Sequence, residues 1–182
     1  MHSHASLAHL TKGAAVKIVI KPALYVAFVL LTVVFAAIGV FALNFDVGTA
    51  LIGGVAAALL HYVGLTIHHI GHYVAARMTG YPMSGVRVGT LGGLLMQDLY
   101  PRDEPPLPAR THIQRALGGP LASLLTTIVG ALLLAALGDN RGWMWYVLLF
   151  FVLENLLAYT LQIFVPLSFN DGGTLWRYLR AR

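Results

Sequence analysis

The chain has 182 residues, 58 % of them hydrophobic and only 10 % charged, against about 25 % charged in ordinary soluble domains; so little polar surface points to a polytopic membrane protein. Cysteine is absent, which excludes a disulfide framework and thiolate metal sites and leaves His, Asp and Glu as the available ligands. The net charge of +5 is scattered through connecting segments, where it reports membrane topology, and no nucleic-acid partner is expected.

Residues 1–21 read as a polar, weakly basic lead-in carrying Lys12, Lys17 and Lys21 but no acid. His2, His4 and His9 lie so near the terminus that disorder is expected there rather than metal binding. The apolar run after Pro22 outlasts a signal-peptide core and is followed by no small-residue cleavage site. Residues 22–43 are uncharged and long enough to cross about 30 Å of hydrocarbon, which takes roughly 20 residues. After the link Asn44–Asp46, a second apolar segment covers residues 48–79, with no acid and no base before Arg77. Its early part is rich in small residues (Gly48, Gly53, Gly54, Ala56, Ala57, Ala58), which allow close helix approach in lipid.

Within 80–115, Ser84–Gly89 alternates weakly as a short strand would. Gly89, Gly92 and Gly93 suggest a hairpin or re-entrant turn. Pro101–Pro108 is a polar linker expected in water and too short for a polyproline docking motif. A third span covers 116–137, opening on Gly118-Gly119-Pro120, and Asp139–Arg141 forms a tight turn. The fourth span, 143–165, has Trp143 and Trp145 as interfacial anchors and Glu154 near its middle. Pro166 ends it, and residues 167–178 lead to a basic end at 179–182. The expected class is therefore an all-α polytopic membrane protein, one membrane-embedded domain over 22–178. It would have about four transmembrane helices and a short strand or re-entrant insert after the second. Eleven of the twelve Lys and Arg residues fall on the side of the termini and the 77–115 connection, Arg141 alone on the other. The positive-inside rule then places both termini in the cytoplasm.

The chemistry concentrates in the second span, where His68 and His72 are four residues apart. On a helix they share a face with Cβ atoms roughly 5–6 Å apart, a spacing that lets two imidazoles grip one metal ion. Two satisfied polar residues at a helix interface would be the plainer account. Polar groups in lipid are expensive, however, and a pair at this spacing favours a metal. A third ligand has to come from elsewhere. Asp171 follows a helix-ending proline and precedes two glycines, so the backbone can turn its carboxylate back toward the bundle.

Ile67–Gly80 (IHHIGHYVAARMTG) resembles the H-E-x-x-H-x-x-x-A-x-x-x-G helix of the site-2 protease family of intramembrane zinc metalloproteases. Residues 163–173 (IFVPLSFNDGG) are similar to that family's N-x-x-P-x-x-x-L-D-G-G segment, with Pro166, Asp171, Gly172 and Gly173 in register. Gly119-Pro120-Leu121-Ala122-Ser123 resembles its G-P-x-x-N motif, and Arg87–Met96 its glycine-containing strand region. The motifs occur in the family's order across residues 48–178. The resemblance implies one zinc ion held by His68, His72 and Asp171, with a transmembrane segment of another protein as partner or substrate.

Three positions depart from the pattern. His69 stands where the family has its catalytic glutamate, Ile163 where the last helix carries asparagine, and Ser123 where G-P-x-x-N ends; Asn155 matches an upstream asparagine. The glutamate's proton transfer contributes typically 10²–10⁴-fold. An imidazole beside a divalent cation is harder to protonate. Successive helical residues point about 100° apart, so His69 is not expected to be a third ligand beside His68 and His72. The expectation is a protein that keeps the zinc and a transmembrane partner while proteolysis is lost or impaired. The alternative is an active intramembrane zinc endopeptidase. A small transporter lacks the paired half-helices of an inverted repeat. His61, seven residues before His68, faces the same way as the ligands. It is expected to meet Glu154 in a second polar layer, since an intramembrane acid normally has a partner inside the bundle; the alternative is that Glu154 bonds Tyr62, Tyr159 or a backbone group.

Overall fold

The computed structural model describes residues 16–138 and 141–180; His2, His4, His9 and most of the expected Asp139–Arg141 turn lie outside them. Four helical stretches are long and apolar enough to cross a membrane: Ala23–Phe41, Val47–Met78, Ala109–Ala136 and Trp143–Phe164. The first three are regular helices, α1 (Ala23–Phe41), α2 (Val47–Met78) and α3 (Ala109–Ala136). The fourth begins as α4 (Trp143–Glu154) and changes pitch, through a π turn at Asn155–Thr160 and a 3₁₀ turn at Leu161–Phe164. Polar side chains account for the change. Asn155 Nδ2 donates to the Phe151 carbonyl and Thr160 Oγ1 to the Asn155 carbonyl, and such bonds compete with the regular helical ladder. A last amphipathic helix, α5 (Asp171–Arg180), follows.

Small residues set how closely the helices pack. A methyl group at Gly54 would run into the Thr32 carbonyl of α1, and methyls at Gly71 and Gly118 into each other's carbonyls. The α2–α3 crossing at this glycine pair brings α3 onto the turn that carries His68 and His72. On the outside, Val29, Leu30 and Val33 of α1 and Leu121, Leu125 and Leu132 of α3 are more than half exposed. These faces are apolar where a soluble protein would be polar.

Two expectations need correction. The lead-in is not wholly unstructured, because Lys17–Ile20 forms strand β1. It pairs in parallel with β2 (Gly85–Thr90), which pairs antiparallel with β3 (Leu95–Leu99), so the fold is not purely helical. A lone KIVI run carries no local signal for a partner 68 residues on. The third helix also starts at Ala109 rather than 116, with Pro108 just before its first residue. There a proline costs no hydrogen bond. The linker before it folds back, Glu104 pairing with the buried guanidinium of Arg115 at 2.5 Å.

The insert is an antiparallel hairpin of β2 and β3. Gly89 and, in the tip Leu91–Leu94, Gly93 lie close against the start of α1 at positive φ of 85° and 105°; a side chain at either would be strained, and at Gly93 it would also collide with the Ala23 carbonyl. The tip carbonyls are taken up by α2. His61 Nε2 bonds the Leu94 carbonyl and the Tyr62 hydroxyl donates to the Gly93 carbonyl, both at 3.0 Å. Irregular backbone among apolar helices needs such partners.

Candidate metal centre

His68 and His72 are both buried, and each is held from behind. His68 Nδ1 lies 2.9 Å from Ser123 Oγ, and His72 Nδ1 lies 2.8 Å from the Arg115 carbonyl. The Gly119 N–H, which regular helix geometry would give to the Arg115 carbonyl, lies 3.3 Å from His72 Nδ1, and Pro120 has no N–H to give to the Ala116 carbonyl. The Arg115 carbonyl can only accept, so His72 Nδ1 donates to it, and with His68 Nδ1 likewise donating to the Ser123 hydroxyl each neutral ring would turn a bare Nε2 toward the other, 3.0 Å apart. Two lone pairs facing each other at that distance repel unless a cation or proton lies between them.

Asp171 completes the set from a position 103 residues away in sequence. Asn170 caps α5 by accepting from the Gly173 N–H and ties back to the Val165 carbonyl at 2.9 Å. Methyls at Gly172 and Gly173 would strike the carbonyls of Gln162, Ile163, Val165 and Leu167. The cap and the two glycines thus seat Asp171 with Oδ2 3.2 Å from His68 Nε2 and Oδ1 3.3 Å from His72 Nε2. Burial alone would raise the Asp171 carboxyl, but His68 and His72 outweigh it and hold the group far below the usual carboxylate range.

These residues fit a metal ion. Tetrahedral ligands at about 2.0–2.1 Å lie roughly 3.3 Å from one another, close to the observed 3.0, 3.2 and 3.3 Å. Gly119 keeps the space open, since a methyl group there would collide with Nε2 of both histidines.

The surrounding chamber, about 440 Å³, is bordered by the three ligands, His69, Asp98 and Gln162, with apolar walls that include Leu65 and Phe169. A more polar cavity of about 260 Å³ reaches His72 and Asp171 from the side of Glu104, Arg115 and Arg177.

The other sequence candidates divide. Ser123 is fully buried against His68, so the serine at the end of the G-P-x-x-S segment supports a ligand. Ile163 is buried, but its neighbour Gln162 brings an amide within 3.3 Å of Asp171 Oδ2; sequence reasoning missed it. Asn155 is fully buried yet packs against Gly64 and forms no hydrogen bond with the ligands. Pro166 is exposed in the loop before α5 and Pro120 is buried in α3.

His61 Nδ1 lies 2.6 Å from Glu154 Oε1, the contact expected from the sequence, and the Tyr159 hydroxyl joins both at 3.2 and 3.3 Å. Glu154 belongs to neither group of metal-capable side chains found among the described residues.

The second such group is His69, His72 and Asp98. His69 Nδ1 and Asp98 Oδ1 are bonded directly at 2.6 Å. His72 has one free ring nitrogen for the two groups, so they do not hold two ions at once. Asp98 was not foreseen. It lies in a short strand whose register no local pattern fixes.

No family model, curated protein or solved structure matches the chain.

Proposed function

We propose that the protein is a multi-pass membrane metallopeptidase of the site-2 protease type, its two termini in the cytoplasm, acting on a transmembrane segment of another protein. The observation that carries the reading is the convergence of two back-supported imidazoles and one capped carboxylate at metal-ligand spacing beneath a glycine that leaves room for an ion. It is joined by four helices of spanning length with apolar outer faces. Zinc is the ion the donor set suits best, since it accepts two imidazoles and a carboxylate with one position open.

His68, His72 and Asp171 would hold the ion, which when bound supplies Lewis-acid polarisation of a carbonyl and of water. The chain's own groups do the rest. The apolar walls of the chamber exclude bulk water from a peptide, and the Gln162 amide is placed to donate a hydrogen bond to developing negative charge. The polar cavity beside Arg115 gives water a separate approach.

A second reading is supported by His69 in the glutamate position: a zinc-stabilised scaffold that binds a transmembrane partner without cutting it. One experiment separates the two. Purified protein is assayed for zinc and for cleavage of a membrane-embedded reporter. The peptidase reading expects one zinc per chain and chelator-sensitive cleavage. Zinc at full occupancy with no cleavage leaves the scaffold, and no zinc at all overturns both.

A further inference from the structure

The face of the small sheet turned toward α2 is apolar. Ile18, Val86, Val88 and Met96 line a groove against Ile70 and Tyr73 of the helix. Strand alternation puts Asp98, two residues after Met96 and paired with Val86, on that same face. A carboxylate there is costly unless something answers it. What answers it is His69, with only 13 % of its side chain exposed and Asp98 at 16 %.

We propose that Asp98 and His69 form a dyad that supplies the general base of this centre, in place of a glutamate; the inference rests on the peptidase reading above. Asp98 is the positioning residue. Its carboxylate accepts from His69 Nδ1–H and so fixes the tautomer in which Nε2 carries a lone pair. That Nε2 has no hydrogen-bond partner among the described residues, and the ring borders the same chamber as His68, His72 and Asp171. The His69 and His72 rings are in contact, 5.6 Å between centroids, so His69 sits beside the ligands, and the 440 Å³ chamber they share has room for a water. In the proposed step the water oxygen bonds to the scissile carbonyl carbon while one water proton passes to His69 Nε2. That proton is then given to the amide nitrogen as the C–N bond breaks. The other water proton stays with the new carboxyl group, so atoms and charge balance without a further reactant. Asp98 stays ionised and holds the ring in place, as the orienting acid of a Ser-His-Asp triad does.

A purely structural pair would predict the same 2.6 Å contact, so the test reads the tautomer and the coupling as well as rate. In metal-free protein labelled at histidine nitrogen, with His69 assigned by difference from His69→Gln, the wild type should show Nδ1–H and bare Nε2. Asp98→Ala should shift His69 toward the Nε2–H form. An Nε2–H tautomer in wild type, or no change in Asp98→Ala, overturns the dyad whatever the activity. In zinc-loaded protein, His69→Gln should lower cleavage by about 10²–10⁴-fold, and Asp98→Asn by roughly tenfold or more in kcat with KM little changed. In a His69→Glu background the Asp98→Asn effect should shrink to within about twofold, because glutamate needs no orienting acid; an equal loss in both backgrounds marks a structural role and overturns the proposal. Zinc-loaded wild type that cuts nothing removes the base role and the peptidase reading together while leaving the tautomer result standing. Failure to bind zinc removes the peptidase and scaffold readings, and the base role with them; the tautomer result in metal-free protein then decides only whether Asp98 orients His69.

Discussion

Two histidine sites sit on one face of α2, seven residues apart, and the protein treats them oppositely. At His61 both ring nitrogens are used up, Nδ1 on Glu154 and Nε2 on the Leu94 carbonyl. About two turns further on, His68 and His72 each spend Nδ1 on the scaffold and keep Nε2 for Asp171 and for each other. The upper site is a lock that holds the hairpin tip against α2 and α4. The lower one is a set of donors that could hold a cation. The same residue type on the same face becomes a fastener or a ligand according to how many of its nitrogens the neighbouring elements consume.

The contrast is broken most severely at the lock. Replacing His61 with leucine leaves Glu154 buried without its main partner, and Glu154 Oε2 already lacks one. The expected loss is about 3–5 kcal/mol, measured by chemical unfolding in detergent. His61→Leu with Glu154→Leu should recover much of it, and the zinc ligands should be spared. If His61→Leu abolished zinc binding but left stability unchanged, the two sites would have exchanged roles.

A smaller effect sharpens the lower site. Ser123→Ala removes the group behind His68 and should weaken zinc about 10–100-fold, the usual cost of losing a ligand's supporting hydrogen bond, as read by competition with a chelating dye. The gentlest change is at the cap. Asn170→Ala removes the bonds that hold the start of α5 and should cost about 1 kcal/mol of stability, with a modest loss of zinc affinity because Asp171 is the next residue.

Much of this was readable from the residues. Long uncharged runs announce helices of spanning length because length and hydropathy are local properties. The spacing of His68 and His72 fixes a shared face by helix geometry alone. The Pro166 to Gly173 stretch announces a turn that returns Asp171, and the glycines prove to be needed for close backbone contact. What stayed hidden depends on pairing. β1 exists only because β2 arrives beside it, and Asp98 faces α2 only through the register of β2 and β3. The π turn arises from Asn155 and Thr160 bonding backbone carbonyls, a competition invisible to periodicity. Gln162 was overlooked beside Ile163 because the change of pitch, and not the linear motif, decides which side chain reaches the ligands.

The central claim is that His68, His72 and Asp171 together hold one metal ion. X-ray absorption at the zinc edge, on purified protein and on His72→Ala/Asp171→Ala, tests it most directly. The account predicts one zinc per chain in the wild type, with two imidazole nitrogens and oxygen ligands at about 2.0–2.2 Å, and no stoichiometric zinc in the double variant. A full equivalent of zinc in the double variant, with the same spectrum, would contradict it.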